Sequence, residues 1–168
     1  AQNLLATYER KQKDALRELY KPSTDKPEVS FYQGKEGVKT VIMDTLAQKP
    51  SETLSFASGS AVVGFDPAFI QQYFNKRVSM KIPTKGIAPG SISLKGRFTE
   101  EVNKKELRQL RFLPAELDTL QHEIEIYGNN VAFTSMKPGD EHGIIIRSKT
   151  IAEAMREIHS ALWERLEK

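Results

Sequence analysis

Ala1, Leu5, Tyr8, Gln12, Ala15 and Leu19 follow one another at spacings of four and three, which is the seam of a coiled coil. Glu9, Arg10, Lys13, Asp14, Arg17 and Glu18 fill the remaining faces. A helix this short is marginal alone in water, because nucleation costs much and few residues propagate it. The pattern therefore predicts a partner. We expect a homodimer that meets along Leu5, Tyr8, Ala15 and Leu19, with Gln12 as the polar residue that sets register, and a helix that continues upstream of residue 1. The alternative is an amphipathic helix folded back on its own domain. Pro22 disfavours helix at Lys21, so the dimerisation helix spans 1–21, a stiff linker 22–27, and the body 28–168.

The body reads as alternating elements. Val29–Tyr32 is a strand, and Gln33-Gly-Lys-Glu-Gly37 turns into a helix with Val38, Val41, Ile42, Thr45 and Leu46 on one face. Thr53–Ala57 is a second strand. Asp66-Pro67 caps a helix that buries Phe69, Ile70, Tyr73 and Phe74. A third strand lies within Met80–Ala88, where Pro83 suits an edge, and a charged helix follows over Thr99–Gln109. This β-α rhythm favours parallel strands. The second half changes period. Leu110–Leu113 is a short strand. His122–Tyr127 and Val131–Ser135 flank Gly128-Asn-Asn130 as a hairpin, and Gly143–Arg147 is a continuous apolar run of interior-strand type. Thr150-Ile-Ala-Glu153 forms a capping box for a last helix with Ile151, Met155, Ile158 and Leu162 on its core face. The expected fold is α/β, a mixed and mostly parallel sheet of about seven strands flanked by helices and preceded by the coiled-coil helix.

Composition narrows the chemistry. The 168 residues carry 25 Lys+Arg and 22 Asp+Glu, interspersed, for a net charge of +3; so small an excess does not mark a nucleic-acid surface. Cysteine is absent, which removes disulfides and thiol chemistry and fits a reducing cytoplasm. No apolar stretch approaches bilayer-spanning length. We read the chain as soluble and cytoplasmic, without contact to membranes. Lys104, Lys105, Arg108 and Arg111 read as a solvated basic face, except that Arg111, inside an apolar strand, calls for a specific partner.

His122, His142 and His159 show neither i,i+4 pairing nor a carboxylate set at ligand spacing, so no metal or cofactor is expected. His159 lies one turn before Trp163, an aromatic pair of the kind that packs an interface. The glycines Gly34 and Gly37 are turn residues without the spacing of a phosphate-binding loop. In open α/β sheets ligands favour the crevice at the strand ends. This places a candidate small-molecule site at Ser58 and Ser60 after the second strand, Arg111 beyond it, and His122 and Ser135 on the hairpin. Hydroxyls, an imidazole and a guanidinium suit a sugar or sugar phosphate, with Arg111 able to grip an anion. Equally, Arg111 pairs internally with Glu123 or Glu125.

Two stretches together resemble the C-terminal effector domain of the TrmB family of prokaryotic transcription regulators. One is Val29-Ser-Phe-Tyr-Gln-Gly-Lys-Glu-Gly37. The other runs from Leu107-Arg-Gln-Leu-Arg-Phe-Leu-Pro114 through Glu123-Ile-Glu-Ile-Tyr-Gly128 and Gly143-Ile-Ile-Ile-Arg-Ser-Lys149 to Trp163. The resemblance implies a phospholipase-D-like fold, a dimer through the leading helix, and a sugar-like effector. DNA binding is implied only through an upstream winged helix that this chain does not contain. Phospholipase D enzymes carry His-x-Lys-x4-Asp-Gly at the hairpin. Matching Tyr127-Gly128 to the Asp-Gly puts Leu120 at the nucleophile, His122 at the lysine and Tyr127 at the acid. Leucine cannot form a phosphoenzyme. The function expected is a non-catalytic, ligand-sensing and dimerising domain of a transcription regulator. A cryptic phosphodiesterase or nuclease, and a plain protein-interaction module, are the alternatives.

Overall fold

The computed structural model describes residues 10–13, 26–58, 64–90, 98–114 and 120–166. Leu5, Tyr8, Ala15 and Leu19 lie outside them, while Gln12 sits in a helical stretch at 10–13 and is exposed. The body runs β1 (Glu28–Gln33), α1 (Gly34–Ala47), β2 (Thr53–Phe56), α2 (Pro67–Ser79), β3 (Thr84–Pro89), α3 (Glu100–Lys105), β4 (Arg108–Leu113), β5 (Glu123–Tyr127), β6 (Asn130–Ser135), β7 (His142–Arg147) and α4 (Lys149–Trp163).

Local chemistry sets most boundaries. Gly34, at φ 73°, bends β1 directly into α1, which buries Val38, Val41, Thr45 and Leu46. Asp66 accepts from Ala68 N at 3.0 Å and Pro67 follows, an N-terminus as expected. The charged helix is shorter than Thr99–Gln109: Thr99 caps it, and Leu107 at φ 51° turns the chain into β4, which starts two residues before the expected Leu110. The last helix is capped by Ser148, whose Oγ accepts from Ile151 N at 3.4 Å, and not by Thr150. Its inward face is also rotated. Ala152 and His159 are buried while Ile158 is 51% exposed, because the residues seven apart, not Ile158, look onto the sheet.

Seven strands form one mixed sheet in the order β1-β7-β6-β5-β2-β3-β4. The expected balance is corrected: only β2–β3 and β3–β4 pair in parallel, and the other four pairings are antiparallel. The β-α rhythm did report direction, since β1 to β4 all run the same way. What it could not report is that the meander β5-β6-β7 enters between β1 and β2 and inverts each pairing there. Pro83 precedes β3, which lies inside the sheet between β2 and β4; the edges are β1 and β4. One end of the sheet thus collects the ends of β1, β2, β3, β4 and β6 and the starts of β5 and β7.

On each face the cross-strand neighbours align in rows. Phe31, Ile144, Phe133, Ile124, Phe56, Ile87 and Arg111 are paired in series on the first face. α4 crosses this face over β6, β5 and β2, and its Met155, Leu162 and Trp163 pack onto Leu54, Phe56, Ile87 and Ile126. The β1–β7 end of the row is left open, with Val29 61% and Phe31 64% exposed. On the opposite face Ile145, Ala132, Glu125, Ser55 and Gly86 are paired in series. There α1 brings Val41 against Tyr127, Ala132 and Ile145, and α2 brings Tyr73 against Leu46 and Ile82.

Candidate functional site

At the strand-end edge of the open face, Leu120, Gln121, His122, Ile124, Phe133, His142 and Ile144 line a groove of about 420 Å³. The sheet dictates this lining. Ile124, Phe133 and Ile144 are three neighbours of one cross-strand row, so they form a continuous apolar floor. α4 covers the same row further along. His122 enters from the start of β5 and His142 from the start of β7, with ring centroids 5.5 Å apart. Phe31 stacks on the outer face of His142 at 5.9 Å and 20°. Among the described lining residues there is no Lys, Arg, Asp or Glu.

The two histidines are held differently. His142 Nδ1 lies 2.9 Å from the Asp140 carbonyl and 3.4 Å from its carboxylate. A carbonyl only accepts, so neutral His142 carries its proton on Nδ1 and keeps a lone pair on Nε2. His122 has no hydrogen-bond partner of this kind among the described residues, and contacts its surroundings through its ring.

Of the five residues expected at the ligand, the four that are described are not gathered in one place. Among those four, His122 is the one that lines the groove. Ser135 stands at the same sheet end, opposite His142 in register, but is buried and accepts from Lys137 N at 3.3 Å. Ser58 donates to Glu123 Oε1 at 2.8 Å, on the other side of β5. Ser60 lies outside the described residues. Arg111 is a structural clasp: its guanidinium sits 4.6 Å above the Trp163 ring and donates to the Trp163 carbonyl. The partner that Arg111 called for is thus the end of α4, not Glu123 or Glu125. The basic patch divides likewise, for Arg108 is buried between the Phe74 and Phe98 rings at 4.7 and 4.5 Å and pairs with Glu106.

Other polar groups complete the frame. Tyr127 is fully buried and donates to Asp44 Oδ2 at 2.8 Å. Asp44 is shared with Arg147 at 3.2 Å, and burial together with that carboxylate pushes the Tyr127 hydroxyl pKa up. On the face away from the groove, Glu125 is half-buried, and burial raises its carboxyl to about 8, with Glu123 adding to the rise and Arg77 opposing it. Sequence reasoning missed His142 as a groove residue. The hairpin and the turn at 137–140 already imply an up-down-up meander, which brings the starts of β5 and β7 to one end.

No family model and no curated protein matches the sequence. Solved structures do match. TrmBL2, an archaeal chromatin protein with a novel mode of DNA binding, aligns with 99% of this chain at 17% identity and a TM-score of 0.60. The match spans 65% of that protein's chain. NucT from Helicobacter pylori aligns over 84% of this chain and 98% of its own at 10% identity and a TM-score of 0.59. Nuc from Salmonella typhimurium, a phospholipase D family member, does so over 84% and 97% at 12% identity and 0.53. The mixed seven-stranded sheet flanked by helices is therefore a phospholipase-D-like fold, shared with a TrmB-like chromatin protein and with phospholipase D family members.

Proposed function

We propose that this chain is the non-catalytic, ligand-sensing and dimerising part of a transcription regulator. The observation that carries the reading is Leu120. The enzyme motif wants a nucleophile at that position, and here an alkyl side chain forms part of the groove wall. A phosphodiester would also need cationic compensation for its charge, and the described lining offers no Lys or Arg. The likeness to TrmBL2 over 99% of the chain supports a regulator. Ligand binding in the groove would act by differential affinity for two arrangements of the dimer, since a ligand that binds both equally moves neither. With Ser58 and Arg111 engaged elsewhere, the four apolar walls and two imidazoles support a flat, largely apolar effector with one polar group, in preference to a sugar or sugar phosphate. Pairing of the subunits along Leu5, Tyr8, Gln12, Ala15 and Leu19, and DNA contact through an upstream domain, belong to the same proposal. Among the described residues no helix is long and apolar enough to cross a membrane.

A thermal-shift screen of metabolites tests the sensor, because a ligand that binds only the native state raises its melting temperature. We expect a hit whose shift is lost in Phe133→Ala or Ile144→Ala. Light scattering should give a dimer for the parent and a monomer for the Leu5→Glu, Leu19→Glu double variant. One observation favours a second reading: two imidazoles 5.5 Å apart form the minimum for a nucleophile and a proton donor at phosphorus. Bis-p-nitrophenyl phosphate and single-stranded DNA separate the two. Turnover abolished by both His122→Ala and His142→Ala would replace the sensor with a phosphodiesterase.

A further inference from the structure

From the geometry of the groove we infer that His122 and His142 together bind a borderline divalent transition-metal ion, of the Zn2+, Ni2+ or Cu2+ class, with its remaining coordination positions open. The inference does not require an organic effector and goes beyond the sensor reading. Two imidazoles bound to one tetrahedral ion, at metal–nitrogen lengths of about 2.1 Å, place their ring centroids about 5.3 Å apart. The observed separation is 5.5 Å, with the rings inclined at 55°, which is within reach of a shared ion once a nitrogen of each ring is turned toward it.

The second observation is the tautomer of His142. Metal-binding histidines almost always donate their other ring N–H to a backbone carbonyl or carboxylate, which fixes the ring and raises its basicity. His142 does this through Nδ1 to the Asp140 carbonyl at 2.9 Å, with the Asp140 carboxylate at 3.4 Å. Nε2 is left as the free lone pair. Phe31, stacked at 5.9 Å on the outer face, restrains the ring against rotation. His122 spends neither nitrogen on a described partner and is half-buried at the groove mouth.

The donor set also sets the class. Imidazole nitrogen suits zinc, copper and nickel, whereas magnesium and calcium want oxygen ligands. Among the described residues no group of three or more His, Cys, Asp or Glu is placed to hold a metal ion, and the Asp140 carboxylate lies at the Nδ1 side of His142, away from its free nitrogen. This is accordingly a two-ligand site, weaker than a structural zinc centre, with positions left for water or for the polar group of a small molecule. The 420 Å³ groove leaves room for such a ligand.

The test is calorimetric titration of the tag-free full chain with Zn2+ alone, and separately with Ni2+ alone, at pH 7.5 and pH 5.5. We expect one ion per chain at pH 7.5 and at least tenfold weaker binding at pH 5.5, since bound imidazoles must be unprotonated. His122→Ala and His142→Ala should each weaken binding at least tenfold, with circular-dichroism melts that match the parent. His142→Gln provides a second variant should the alanine disturb β7. Absence of binding overturns the site. So does binding in either single variant within twofold of the parent, which would place the ion elsewhere. A metabolite found in the thermal screen without metal leaves these outcomes unaffected, so the sensor and the metal site fail separately.

Discussion

Gly143→Ala tests the packing that positions the groove's second histidine. Gly143 follows His142 in β7 and faces α1 on the closed side of the sheet. A Cβ there would stand 2.6 Å from Val41 Cγ2, 3.1 Å from Val41 Cβ and 3.6 Å from Thr134 Cγ2. Carbon atoms pack at about 3.5–4.0 Å, so the first contact is short by about 0.9 Å. Val41 is fully buried, and a β-branched residue in a helix has essentially one χ1 rotamer. It cannot swing aside; α1 must move. Overpacking of this kind costs about 1–3 kcal/mol, and 2 kcal/mol lowers Tm by about 4–8 °C for a chain of this size. Val41→Ala alone should cost about 2 kcal/mol through two lost methyl groups and the cavity they leave. Combined, the two changes remove the 2.6 Å contact, leave a 3.1 Å approach to the Cβ of residue 41 that a small shift relieves, and refill part of the space. Urea unfolding with an unchanged m-value should show the double variant more stable than the sum of the singles by at least about 1 kcal/mol. Strict additivity, or a Gly143→Ala protein within about 0.5 kcal/mol of the parent, would refute the contact of α1 on β7.

The Glu125 carboxyl, raised to about 8 by burial first, holds a proton in the folded state over a range where the unfolded chain has lost it. Stability should therefore fall as pH rises from about 4.5 to 8, and Glu125→Gln should flatten that fall in urea melts at pH 5, 7 and 8.5. His159, packed against Phe56 at 5.1 Å and stacked on Trp163 at 5.7 Å, titrates the other way. Burial is the leading cause that lowers its pKa, against nearby backbone carbonyls of Ser55 and Lys85, so its contribution is present at neutral pH and lost as pH falls below about 6.5. His159→Gln should remove that acid-side loss. Arg111→Ala should destabilise by about 1–2 kcal/mol, as the bond to the Trp163 carbonyl and the stacking go. Arg111→Lys should not restore it, because an ammonium lacks the planar fork; full rescue by lysine would show that charge alone matters there.

Much was legible because the relevant physics is local. Period-2 and period-3.6 patterns located the seven strands and the long helices, Asp66-Pro67 marked the start of α2, and Gly128-Asn-Asn130 marked the hairpin. The order of strands was not legible. Whether β1 neighbours β2 or β7 depends on which faces can be buried together, and a β-α-β rhythm fixes direction without fixing adjacency. The same limit governed the site. Arg111, read as an anion grip, lies under Trp163, fifty-two residues away, and Ser58 is taken by Glu123, sixty-five residues away. Pairing at that separation leaves no trace in composition or periodicity. His122 and His142 are twenty positions apart in the chain, and only the register of β5, β6 and β7 puts them on one face of one groove. Sequence alone determined which chemistry each residue can offer; the tertiary structure decided which of these groups meet, because side-chain partners are chosen by packing across the sheet and not along the chain.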